Sequence, residues 1–173
     1  METGPVDELK MAYRTAAIIS VAFVLALFLY AGVVEILLST GFDPAPGADL
    51  AGVLGILRYA FLAISIAVLF LARFAKNFAL SGKLPIQALS QGEVPFLEPI
   101  IRLRSALLIT LAFSEVPALF GFILFIFGGS RLDFYTFLAI SFLSSYIYFP
   151  RYNQWEEWIR GQAIKGVNMG KIR

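Results

Sequence analysis

Four stretches of the chain, at about 15–38, 51–72, 105–128 and 132–149, are apolar on every helical face, with polar segments between them. A soluble helix gathers its apolar residues into one stripe, whereas a lipid-embedded helix is apolar all round. Some 20 such residues cross a bilayer, so the pattern predicts four transmembrane helices. The first stretch outruns the short apolar region of a secretory leader and reads as a retained helix.

Composition agrees. Of 173 residues, 59% are hydrophobic and 15% charged, and the mean hydropathy is +0.79; an ordinary soluble domain is roughly 25% charged. The expected fold class is all-α, a polytopic membrane protein. Twelve basic residues (Lys10, Arg14, Arg73, Lys76, Lys83, Arg102, Arg104, Arg151, Arg160, Lys165, Lys171 and Arg173) fall on one side of the four helices, and only Arg58 and Arg131 on the other. The positive-inside rule then predicts a multi-pass protein of the inner, cytoplasmic membrane with both termini and the middle loop in the cytoplasm. The net charge of +2 and pI near 9 follow from these flanking residues, so no nucleic-acid partner is expected.

The chain has no Cys and no His. That removes disulfides, thiolate nucleophiles, Fe–S clusters, Cys/His zinc sites and His-ligated haem, so neither metal nor cofactor is expected. No Gly-rich phosphate loop or nucleophile–base pattern is present either, and an enzyme is not expected.

The two halves resemble each other. "RTAAIISVAF" at 14–23 aligns without gaps with "RSALLITLAF" at 104–113, and "YAFLAIS" at 59–65 with "YTFLAIS" at 135–141. The reading is two tandem helical hairpins of the same orientation, a parallel repeat about an axis along the membrane normal. The units are 1–80, the first hairpin; 81–103, a cytoplasmic loop; 104–150, the second hairpin; and 151–173, an interfacial tail. In the loop, Pro85, Pro95 and Pro99 forbid one continuous helix, leaving a short interfacial segment around Ile86 and Leu89 and then an extended run into the third helix. In the tail, Trp155, Trp158 and Ile159 share a helical face, and with Tyr146, Tyr148 and Tyr152 they form an aromatic belt expected at the lipid headgroups.

Glu115 is the residue that asks for an explanation. It stands 11 residues past Arg104, about 16 Å into a hydrocarbon core about 30 Å thick. An ionised acid there costs at least about 2.5–3.5 kcal/mol, so it must carry a proton, be hydrogen-bonded within the bundle, or pair with a cation. Arg58 and Glu35 are the charged residues weighed against it, Arg58 as its partner and Glu35 as a competitor for Arg58. Pro117 removes the backbone hydrogen bond to the carbonyl of Phe113 and is expected to kink the helix. With Ser114 and Glu115 beside that opening, a proton or cation site is one reading, a structural contact a second, and contact with another subunit a third. Ser141, Ser144 and Ser145 are expected to join helices by hydrogen bonding.

The segment "SEVPALFGFILF" resembles the acid-bearing helix of the rotary ATPase ring subunit, with Glu115, Ala118, Phe120 and Gly121 in the family's pattern of acid, small residue, aromatic and glycine. The resemblance implies that Glu115 binds a proton or Na⁺. It covers about a dozen residues, and the glycine run of the family's other helix has no match here; Gly52 and Gly55 offer at most a small-residue contact. The chain as a whole is similar to small uncharacterised four-helix bacterial membrane proteins. The functional expectation is a membrane subunit with a midplane carboxylate that handles a proton or cation within a larger assembly. The alternative is a non-catalytic accessory subunit, and the partners are the lipid bilayer and either other membrane subunits or further copies of this chain.

Overall fold

A computed structural model describes residues 5–42, 48–80, 97–128, 130–159 and 161. Among them the chain is entirely helical: α1, Pro5–Ser39; α2, Ala48–Leu80; α3, Leu97–Ile126; α4, Arg131–Tyr148; and α5, Tyr152–Ile159. Within these, Leu9–Ser39, Gly52–Phe78 and Ile100–Ile126 are each long and apolar enough to cross a membrane, and α4 with α5 forms a fourth such candidate bent by 46°. The interfacial segment expected around Ile86 and Leu89 lies outside the described residues.

At the basic end the helices outrun the apolar stretches, α1 starting at Pro5 and α3 at Leu97, while at the turn end they stop close to them. Pro5 opens α1 and Pro99 sits in the first turn of α3, where a missing N–H leaves no intrahelical bond unmade. The extended approach expected before the third helix is therefore already helical at Leu97. Gly41, at φ 83°, closes α1 with hydrogen bonds from its own N–H to Leu38 O and from Phe42 N–H to Leu37 O, the paired bonds of a Schellman cap. Ser130 caps α4: its hydroxyl accepts from Asp133 N–H while Asp133 accepts from Ser130 N–H. Phe149, before Pro150, is extended at ψ 132°, which separates α4 from α5.

α3 is the centre of the bundle. It packs along α4 and α2 and also against α1, whereas α1 and α2 come nowhere within 8 Å of each other, Cα to Cα. α1 runs parallel to α3, with Leu9 near Ile100 in one apolar cluster and Val34 with Phe125 in another. α2 is antiparallel: Leu54 packs with Leu124, and Phe61 stacks on Phe120 at 4.5 Å. The two sequence-matched hairpins thus pack differently among the described residues, and the packing does not show the two-fold relation expected of a parallel repeat.

Small residues allow the α3–α4 approach. A Cβ on Gly121 would lie 2.7 Å from Phe137 Cβ and 3.1 Å from Phe134 O, so only glycine fits there. Ala118 and Ser141 are fully buried in the same seam. Gly52 and Gly55, by contrast, have nothing within 4 Å of a Cβ and make no close helix contact.

Candidate functional site

The bundle has a basic end, with Lys10, Arg73 and Arg151, and a turn end, where α1 and α3 finish and α2 and α4 begin. Glu115 lies between them, two residues past Phe113, the middle of the Ile100–Ile126 segment, or about 3 Å along the axis. It is half-buried, and its Oε1 accepts a 2.7 Å hydrogen bond from the hydroxyl of Tyr30 on α1. Tyr30 stacks at a tilt against Phe122, with centroids 5.9 Å apart, which holds the phenol over the acid. No cation pairs with Glu115 among the described residues.

Arg58 goes elsewhere. Its Nη2 lies 2.8 Å from Asp133 Oδ1, near the turn end, out of line for a hydrogen bond but close as an ion pair. One rule accounts for both partners. Helical side chains lean towards the N-terminus of their helix. In α2 the N-terminus is at the turn end, so Arg58 leans away from the midplane; in α1 it is at the basic end, so Tyr30 leans down towards Glu115.

Glu35 also acts at the turn end. It accepts hydrogen bonds from Arg131 Nη2 at 2.6 Å and from the Tyr135 hydroxyl, and Arg131 lies over the Tyr135 ring at 5.6 Å. The first two turns of α4 therefore hold both flanking helices, α1 through Glu35 and α2 through Arg58.

Pro117 and Ser114 are not on the side of Glu115. Residues two apart on a helix are separated by about 200°, so Pro117 points into the bundle while Glu115 points away from α4. Ala118 N–H, the first amide after the proline, donates to Ser141 Oγ on α4 at 2.8 Å. Ser114 is fully buried and bonds back to Thr110 O at 2.9 Å, and Ser144 bonds to Ile140 O within its own helix. Of the serines expected to join helices, Ser141 does so. The expected cluster of freed carbonyl, hydroxyl and carboxylate is divided between two faces of α3.

The face that carries Glu115 is open. Leu108, Leu119, Ile123 and Ile126 lie within about 80° of it around the axis. They are 39–42% exposed, recessed relative to outward residues such as Ile56 at 74% and Phe74 at 72%. With α1 and α2 apart, this stripe is the floor of a groove running along α3, and Glu115 sits at its α1 margin beneath Tyr30.

At the basic end, α5 folds against the bundle. Trp155 and Ile159 are buried with Leu9, Ala12, Ile100 and Leu103, and Tyr13 meets Tyr152 and Trp155 edge-on at 5.3 and 6.0 Å. The face expected to meet lipid headgroups is turned inward instead, because α1 and α3 extend beyond their apolar stretches and offer it a platform. Tyr146 remains outward at 72% exposure; Tyr148, Tyr152 and Trp158 are half-buried.

Tyr30, Asp133 and Tyr135 did not stand out in the sequence. The spacing Ser130-x-x-Asp133 is a capping signal that marks Asp133, and nothing in the apolar run around Tyr30 marks that residue. Among the described residues no three His, Cys, Asp or Glu side chains gather as a metal site. No family model matches the chain, and neither a curated protein nor a solved structure is significantly similar to it.

Proposed function

We propose that this chain is an integral subunit of a larger membrane assembly in which Glu115 takes up and releases a proton. The observation that carries the reading is the setting of Glu115: midway along an apolar helix, held by one neutral phenol, without a cation, at the edge of an open groove. An ionised carboxylate at that depth costs at least about 2.5–3.5 kcal/mol. A hydrogen bond to a charged group returns about 1.5–3 kcal/mol, so the Tyr30 hydroxyl offsets part of that cost.

A proton suits the site better than Na⁺. A cation needs several oxygen ligands, and Ser114, the nearest candidate by sequence, is buried on another face and bonded to Thr110. The described basic residues at one end, Lys10, Arg14, Arg73, Lys76, Arg102, Arg104 and Arg151, support an inner-membrane location with that end in the cytoplasm.

The groove supports the assembly part of the reading, since a recessed apolar floor with a polar edge fits a transmembrane helix of a partner. With no native cysteine, single-cysteine cross-linking is clean. Ala112→Cys, on the groove floor one turn from Glu115, is expected to cross-link to another protein in native membranes, and Ile56→Cys, on the outer face of α2, is not. Capture at neither position would contradict an occupied groove.

A further inference from the structure

Where α2 ends, a cavity of about 190 Å³ opens between α2, α3, the end of α4 and α5. Its buried walls include Leu103 and Leu107; Lys76 and Gln154 stand at its edge; and Trp155 and Trp158 close one side. The lining is thus amphipathic, apolar towards the bundle and cationic towards the basic end. Lys76 is half-buried, two residues before the end of the apolar segment Gly52–Phe78, which places its backbone at the edge of the hydrocarbon core, next to the lipid headgroups. No carboxylate pairs with it among the described residues.

We propose that this cavity binds an anionic phospholipid, with the headgroup phosphate against Lys76 and the start of an acyl chain on Leu103 and Leu107. The size agrees. A cavity of about 190 Å³ takes part of a headgroup or the start of an acyl chain and is too small for a whole lipid. Charge selects the ligand: a cationic pocket between helices at the headgroup level favours a net-negative headgroup over a zwitterionic one. The inference is independent of the proton reading, which concerns a site halfway along α3.

The chain has two tryptophans, and both line this cavity, so fluorescence excited selectively at tryptophan reports on it. The test uses the full-length protein in phosphatidylcholine vesicles that contain an equal minor fraction of bromine-labelled lipid, either phosphatidylglycerol or phosphatidylcholine. The anionic lipid is expected to quench as though enriched about fivefold, the contribution of a single lysine at a membrane surface. Lys76→Gln removes the preference and Lys76→Arg keeps it. Lys10→Gln, an exposed charge at the same end, leaves it intact. Equal quenching by the two lipids, or equal loss in Lys76→Gln and Lys10→Gln, would overturn the site in favour of diffuse surface attraction. Relief of quenching by inorganic phosphate would reassign the cavity to a free anion and overturn the lipid.

Discussion

Tyr30 on α1 donates its hydroxyl to Glu115 on α3 at 2.7 Å, and this bond joins two helices 85 residues apart in the chain. Removing the donor strands a carboxyl group in apolar surroundings. Tyr30→Phe is expected to lower stability by about 1 kcal/mol, the usual scale for a hydrogen bond between membrane helices. Glu115→Gln keeps an acceptor for the phenol and is expected to cost less. Reversible unfolding in mixed micelles measures both, and the opposite order would contradict the pair as described.

At Gly121 the prediction is steric. Gly121→Ala sets a methyl 2.7 Å from Phe137 Cβ, an atom fixed to the backbone of α4, so the helices must separate. The expected loss is about 1–3 kcal/mol. Gly52→Ala meets open space and gains helix propensity, so it is expected to be neutral or stabilising by up to about 1 kcal/mol. Equal effects of the two substitutions on the unfolding midpoint would show that α3 and α4 are not in close contact.

Ala118 N–H, next to Pro117 inside the continuous helix α3, donates to Ser141 Oγ at 2.8 Å. Ser141→Ala is expected to destabilise by about 1 kcal/mol. In a Pro117→Ala background, where the helical ladder is restored and Ala118 can bond to Ser114 O, the same substitution is expected to cost measurably less. A double-mutant cycle reads this coupling, and strictly additive effects would disprove it.

The two ion pairs at the turn end are unequal. Asp133 is 8% exposed and also caps α4, so Asp133→Ala is expected to cost about 1–2 kcal/mol. Glu35 and Arg131 are exposed, and Arg131→Gln is expected to have a small effect that salt diminishes. Thermal unfolding across a salt series separates them.

How far these relations were legible in the sequence depends on what each rests on. The apolar runs locate the turn-end boundaries of α1, α2, α3 and α4 to within a few residues, where Gly41 and Ser130 also signal them. At the basic end α1, α2 and α3 continue into polar sequence, because a helix in progress needs tertiary support rather than hydropathy to go on; α5 supplies it with Trp155 and Ile159. Glu115 stood out because lipid makes any midplane acid costly. Its partner did not, because pairing follows from which helices touch and which way side chains lean. Depth alone pointed to Arg58, while the N-terminal lean of α2 takes Arg58 to Asp133 and that of α1 brings Tyr30 to Glu115. Close spacing in sequence also misled at Ser114, Glu115 and Pro117, since neighbours along a helix face different neighbours in the bundle.

The measurement that bears most directly on Glu115 is infrared difference spectroscopy of the protein in native membranes as the pH is varied. A protonated carboxyl has a C=O stretch that the carboxylate lacks. The expected result is such a band that grows and fades with pH and is missing from Glu115→Gln, with the helical amide bands unchanged. A carboxyl spectrum identical in the native protein and Glu115→Gln at every pH would mean that Glu115 exchanges no proton, and would overturn the proposed role.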